Sequence, residues 1–339
     1  MVPKAPPAPA SLDGPPPSAD RAWRSLGGSP PATVEVLRES SRSKPALYRL
    51  IFDEPGRPAV YAKRSATSDL ALERTVYQDI LPHLPLTVPR YFGSCRESDG
   101  ATWLFVEDVG DRRPSNEAPE ERRLAARWLA LLHRSAAGDP CAARLPDAGP
   151  GRYLASLRAG REGVRRNLGN RALTDADRAI LNGLLEQLDA VESRWPAIER
   201  ACQGLPVTMV HGDFRPKNVR IGDAHPGNAL YVLDWEMAGW GIPAADLASA
   251  TWPAMTVSID PETYREGMRE RWPDLDDQAL RRLAILGRIF QALASADWGS
   301  SSLIFESVRH LLRPVGAMRH YRAHLVEGLR AGVEHLGWS

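Results

Sequence analysis

Residues 209–222 read M-V-H-G-D-F-R-P-K-N-V-R-I-G, and after a turn-rich spacer residues 229–241 read A-L-Y-V-L-D-W-E-M-A-G-W-G. The short apolar run 207–210 has the pattern of a strand, and His211-Gly212-Asp213 places a carboxylate on the loop at its end. Asn218 stands five positions after Asp213, and a second apolar run, 229–233, ends on Asp234, sixteen positions after the asparagine. Phosphoryl transfer asks for such a set: one carboxylate to accept a hydroxyl proton, and an asparagine with a second carboxylate to hold Mg²⁺ on a nucleotide's phosphates. Loop-capping acids of an unrelated α/β protein would need neither the asparagine nor the spacing. A metal-dependent phosphoesterase built on His211 and Asp213 would carry further His-bearing metal motifs, and the sequence shows none.

H-G-D-x4-N, then an apolar strand and D-W-E, resembles the aminoglycoside phosphotransferase and choline kinase group, small-molecule kinases with a protein-kinase-like fold. The resemblance implies that Asp213 is the catalytic base and that Asn218 and Asp234 bind Mg²⁺. G-x-P-x-x-D-L-A at 241–248 is also similar to the family, and there it implies a structural role for Asp246, which would bond the backbone of the catalytic segment. The resemblance runs from about residue 30 to the end of the sequence, with its strongest motifs at 209–248.

The elements that must position these residues follow from periodicity. A short helix at 18–26, capped by Ser18 or Asp20, should stop at Gly27-Gly28. Residues 33–37 and 46–52 read as two strands joined by R-E-S-S-R-S-K-P, and by position this hairpin matches the family's nucleotide lid. Many kinases have glycines there, so that backbone N–H groups approach phosphate. This turn has none; Ser40 and Ser41 offer hydroxyls instead, and a solvated turn fits the sequence equally well. A strand at 59–63 ends in Lys63, similar to the family lysine that contacts the α- and β-phosphates. The helix expected at 69–81 carries Leu72, Val76 and Ile80 on one face with Glu73 beside them, placed to hold Lys63 in an ion pair or else to face solvent. The run T-W-L-F-V at 102–106 leads into Glu107, Asp108 and Val109, which resemble the inter-lobe hinge whose backbone reads the purine edge.

The remainder reads as helices: 120–134, ending L-L-H at His133, then 151–168 and 175–199, the last capped by Thr174 or Asp175, and more helices after Asp246. His133 reads as a packing or capping residue. The expected fold is α+β and bilobal, protein-kinase-like: residues 20–108 form a small antiparallel β lobe with one helix, and 109–339 a larger, mainly helical catalytic and acceptor-binding lobe. Residues 1–17 hold seven prolines and are expected, through 1–19, to form a disordered tail.

The 339 residues carry 43 Lys or Arg against 42 Asp or Glu, a net charge of +1 that argues against general nucleic-acid or membrane-surface binding. No apolar run approaches the length of a membrane span, and no secretory signal pattern opens the sequence. Three widely spaced cysteines, Cys95, Cys141 and Cys202, read as reduced thiols of a cytoplasmic protein. The implied reaction moves the γ-phosphoryl group of ATP or GTP, with Mg²⁺, to a hydroxyl of a small molecule. Residues 250–339 carry eleven acids and eleven Lys or Arg, with a basic final third. That balance favours a neutral or anionic sugar- or nucleoside-type metabolite or antibiotic over a polycationic aminoglycoside or choline. A catalytically silent nucleotide-binding or partner-binding relative is the other class; the glycine-free lid favours it, and the retention of Lys63, Asp213, Asn218 and Asp234 opposes it.

Overall fold

A computed structural model describes residues 18–40, 45–65, 70–140, 142–224, 227–251 and 253–338. The proline-rich residues 1–17, Ser41, Cys141 and Trp252 lie outside the described residues, whereas Ser18 and Ala19, expected in the disordered tail, open the first helix, with Ala19 buried. The chain divides into two compact units, Met1–Thr67 with Phe92–Asp108, and Ser68–Tyr91 with Val109–Ser339.

The first unit is built on a five-stranded sheet. Helix α1 (Ala19–Ser25) starts where Ser18 accepts a hydrogen bond from the Arg21 amide. Strands β1 (Thr33–Arg38), β2 (Ala46–Ile51), β3 (Val60–Ser65), β4 (Tyr91–Arg96) and β5 (Thr102–Glu107) follow, and the sheet order is β1-β2-β3-β5-β4. The β1–β2, β2–β3 and β3–β5 pairs are antiparallel. β3 runs two residues past the expected end, so Lys63 lies within the strand, opposite Leu47 and Leu104. Alternation puts Leu50, Val60, Ala62, Trp103 and Phe105 on one face, and Trp23 of α1 packs there with its ring on Phe52, Phe92 and Phe105.

The second unit opens with α2 (Leu70–Thr75), which relaxes into a wider turn at 76–80 and a short turn at 81–83 where Pro82 removes an amide donor. The expected single helix is therefore shorter, and its buried stripe is Leu70, Glu73, Val76 and Ile80. Helices α3 (Pro119–Ala136), α4 (Pro150–Asn167) and α5 (Asp175–Ser193) follow, the last starting in a reciprocal Thr174–Asp177 capping box. The expected helix 175–199 is two helices. Pro196 cannot continue α5, so the chain breaks at Arg194 and restarts as α6 (Trp195–Cys202).

Short strands then carry the chemistry: β6 (Thr208–Val210) pairs with β9 (Gly239–Gly241), and β7 (Val219–Ala224) pairs with β8 (Gly227–Val232), all antiparallel. Helices α7 (Pro261–Met268), α8 (Asp277–Ser300) and α9 (Val308–Leu336) complete the unit. α8 is the axis of the unit, packed by α4 on one side and α9 on another, with Tyr153 of α4 stacked on Phe290 at 4.1 Å. At Gly287 a Cβ would sit 1.9 Å from the Ala244 carbonyl, so only glycine lets α8 approach the loop that holds Asp246. Burial pushes the Cys202 thiol up to about 12, as for an inert core thiol. No described helix is long and apolar enough to cross a membrane.

Candidate active site

β6 delivers the chain to His211 and Gly212, whose backbone amides donate to the two carboxylate oxygens of Asp246 at 2.7 and 2.8 Å. Asp246 is 1% exposed and sits on a short turn at 245–247. Behind it, His133 Nε2 lies 3.3 Å from the same carboxylate, and His133 Nδ1 lies 2.9 Å from the Tyr264 hydroxyl. Burial, with the Asp246 charge, pushes the Tyr264 hydroxyl well above the usual phenol range, so it stays a donor. His133 thus takes the packing role expected of it, and Asp246 bonds the catalytic segment as the family motif implied. Gly212 adopts φ +78°, and a Cβ there would meet the Met237 carbonyl at 2.3 Å.

His211 joins the two acidic loops. Its Nδ1 accepts from the Asp213 amide at 3.1 Å, so that nitrogen carries no hydrogen, and Nε2–H donates to the Leu233 carbonyl at 3.0 Å. Its ring lies 4.7 Å from that of Trp235. Asn218 donates its side-chain amide to the Asp213 backbone oxygen at 3.0 Å and to Asp213 Oδ2 at 2.9 Å. The Leu233 amide donates back to the Asn218 carbonyl at 2.8 Å, extending the β7–β8 ladder to the residue before Asp234. Asp213 and Asn218 are joined directly, and the strand end that carries Asp234, sixteen residues further on, is tied to them through Leu233. Asp234 itself has φ +67°, the left-handed region, alone among the described non-glycine residues.

Two cations meet the Asp213 carboxylate: Arg215 Nε lies 2.8 Å from Oδ1, and Lys217 Nζ lies 2.7 Å from Oδ2. Arg215 also donates to Gln291 Oε1 at 2.9 Å and to Ser295 Oγ. Gln291 in turn donates to the carbonyls of Gly212 at 2.9 Å and Ala245 at 3.0 Å, so α8 braces the loop from behind. Sequence reading passed over Arg215, Lys217, Gln291 and Ser295. A signal existed for the α8 pair: Arg288, Gln291 and Ser295 recur at i, i+3 and i+7 in a run that is otherwise apolar.

The remaining expected residues sit as follows. Glu73 is 3% exposed, so its solvent-facing alternative is overturned, and α2 packs on the turn at 235–237. Burial first, then the carboxylates of Glu73 and Asp234, pushes the Tyr77 hydroxyl well above its usual range. Lys63, Ser40, Glu107 and Asp108 belong to the first unit, and Val109 opens the last part of the second. Ser40 is exposed beyond β1. The Asp108 amide donates to the Ala59 carbonyl at 2.9 Å and its carboxylate accepts from Arg49 at 2.6 Å, which commits both groups to the sheet.

Residues 42–294 match the description of the phosphotransferase enzyme family. The chain belongs to that family. Among solved structures, this family member is similar to a spectinomycin phosphotransferase in complex with ADP and spectinomycin, at 10% identity and a TM-score of 0.62, covering 93% of this chain and 100% of that one. A choline kinase from Cryptosporidium parvum matches at 13% identity and TM-score 0.57, over 90% and 92% of the two chains. An aminoglycoside phosphotransferase complex with GDP and kanamycin matches at 13% and 0.60, over 89% and 97%. Among curated proteins, a 69-residue stretch is 45% identical to mouse acyl-CoA dehydrogenase family member 10, spanning 17% of this chain and 6% of that protein. The family is one of phosphotransferase enzymes, and the fold is the one these solved structures share.

The residues fit a hard divalent cation. Asn218 spends its amide nitrogen on Asp213, which leaves its oxygen as the acceptor end, and Asp234 adds a carboxylate beside the same ladder. Amide and carboxylate oxygens are the donors that Mg²⁺ takes, with water and phosphate filling its other positions.

Proposed function

We propose that the chain transfers the γ-phosphoryl group of ATP or GTP to a hydroxyl of a small polar molecule in the cytoplasm, with Mg²⁺ bound by Asn218 and Asp234. The solved relatives that hold ADP or GDP support a nucleotide donor. The observation that carries this reading is the junction of Asp213 and Asn218, bonded directly at 2.9 Å, with the Asp234 loop tied to both through His211 and Leu233. Bound Mg²⁺ supplies charge neutralisation on the phosphates as they separate.

Asp213 is the base. Its Oδ1 is held by Arg215, which is braced on α8, whereas Lys217 on Oδ2 is 54% exposed and is the partner that yields to an incoming hydroxyl. The carboxylate is thereby aimed by Arg215 and Asn218 while one oxygen is freed for the acceptor. Within the first unit, Lys63 is the residue that pairs with the α- and β-phosphates, and the backbone of Glu107 takes the purine edge. The acceptor is neutral or anionic rather than polycationic.

ADP release from purified protein with Mg²⁺ and a panel of sugar-, nucleoside-, choline- and kanamycin-like acceptors tests the reading. Acceptor-dependent ADP formation that chelation with EDTA abolishes supports it. Silence across the panel, with nucleotide bound, would leave the nucleotide-binding relative as the better description.

A further inference from the structure

The two cations on Asp213 are held differently. Arg215 lies against Oδ1 and also donates to Gln291 and Ser295 of α8, so its guanidinium keeps partners whatever the charge on Asp213. Lys217 lies 2.7 Å from Oδ2, its side chain is 54% exposed, and among the described residues its ammonium bonds Asp213 alone. It stands on the turn Pro216–Asn218, directly before Asn218, whose amide donates to the same Oδ2 at 2.9 Å. An ammonium on a flexible four-carbon stem can turn to a new acceptor, whereas a guanidinium bonded on three sides stays where it is.

Phosphoryl transfer changes the charge on that carboxylate. The acceptor oxygen bonds the γ-phosphorus while the bond from that phosphorus to the β–γ bridging oxygen breaks, its electron pair leaving with ADP. The hydroxyl proton passes to Asp213 Oδ2. Asp213 is then neutral, and both cations lose their counter-charge at once. Arg215 still has Gln291 and Ser295, but Lys217 has no second acceptor. The charge of the transferring group spreads over its three equatorial oxygens. That group is bonded to the same oxygen that gave Asp213 its proton, so its own oxygens come within reach of an ammonium that had ended on the Asp213 carboxylate.

We propose that Lys217 is a further catalytic residue that exchanges partners during turnover, leaving Asp213 Oδ2 for the oxygens of the transferring phosphoryl group. This assignment rests on the phosphotransferase reading of Asp213 and deepens it: the incoming hydroxyl displaces the lysine, and the lysine carries its charge to the group in transit. An interaction made only in the transition state raises kcat. A cation that did no more than occupy Oδ2 would have the opposite effect, because its removal would free the base.

Lys217→Met keeps the length of the side chain and removes its charge. ADP binding to the full-length protein with Mg²⁺ is titrated with and without fluoroaluminate, a mimic of the transferring phosphoryl group that requires no known acceptor. Wild type should bind ADP roughly 10²-fold more tightly with the mimic. Lys217→Met should lose most of that gain while binding ADP alone as before, and Lys217→Arg, which returns a cation, should recover it. With an acceptor that the panel identifies, Lys217→Met should lower kcat by roughly 10²-fold and leave the acceptor KM unchanged, the signature of an interaction confined to the transition state. Its melting temperature should match wild type, since the side chain is exposed. A gain from the mimic that is equal in wild type and Lys217→Met, or a kcat that holds or rises, overturns the exchange and leaves the phosphotransferase reading in place. A wild type that binds ADP no better with the mimic overturns both.

Discussion

His211 Nε2–H donates to the Leu233 carbonyl at 3.0 Å, so the loop of Asp213 is tied directly to the strand end before Asp234. His211→Phe keeps the ring packing on Trp235 but loses this bond and the one from the Asp213 amide. Leaving two buried polar groups unmet should cost roughly 1–3 kcal/mol in urea unfolding. The misplaced carboxylate should lower kcat by about 10²-fold. Wild-type values in both measurements would show that the histidine is only a filler.

Asp213→Asn should retain nucleotide affinity while kcat falls by roughly 10²- to 10⁴-fold, the usual worth of a positioned general base. Stopped-time ADP assays and nucleotide titration separate the two effects. A variant with more than half of wild-type turnover removes Asp213 from the chemistry.

The metal acid and its amide partner should separate from the base in a Mg²⁺ titration. Asp234→Ala abolishes Mg²⁺-dependent nucleotide binding, and Asn218→Ala raises the Mg²⁺ concentration needed. Because Asp234 holds φ +67°, Asp234→Gly should raise the stability of the fold by about 1 kcal/mol while turnover disappears. Metal dependence left unchanged in Asp234→Ala would exclude that residue from the site.

Asp246 and Asp213 are both acids of one motif, but unfolding should tell them apart. Asp246→Ala orphans two backbone amides and His133, all buried, and should cost roughly 3–5 kcal/mol. Chemical denaturation of the two alanine variants side by side provides the comparison, and a smaller loss in Asp246→Ala than in Asp213→Ala would reverse the roles given to them.

Gly287→Ala places a methyl against the Ala244 carbonyl and should destabilise by about 1–3 kcal/mol, as overpacked cores do. Thermal melting checks it. An unchanged melting temperature would mean that α8 can withdraw from the loop at little cost.

The residues proposed for the chemistry stood out in the sequence because chemistry constrains type and spacing together. H-G-D-x4-N and the acid at the next strand's end pointed to one loop system, and Asp246 and His133 took the structural places read for them. Strands β7 and β9 escaped, since V-R-I-G reads as loop and G-W-G is too short to show alternation. The division of 175–199 escaped because apolar spacing continues across Arg194, and only Pro196 marks the break. The braces of Asp213 come from α8, some eighty residues later, and no local pattern announces which loop a buried polar side chain will meet. The charge balance of 250–339 also averaged over position: exposed arginines and buried Arg288 count the same in a sequence.

The stripe Arg288, Gln291 and Ser295 gives one helix two duties: Gln291 and Ser295 steady the loop of Asp213, while Arg288 ties α8 to the Pro253 carbonyl and to His324 of α9. A substitution there that eases one contact also slackens the other, and Gly287 leaves no room for α8 to shift and compensate. The bracing of the Asp213 loop and the packing of α9 are thus inherited together on α8. Variation at little structural cost falls instead to the solvent side of residues 304–312, where Ile304, Phe305, Val308 and Leu312 are exposed and can change without disturbing the core.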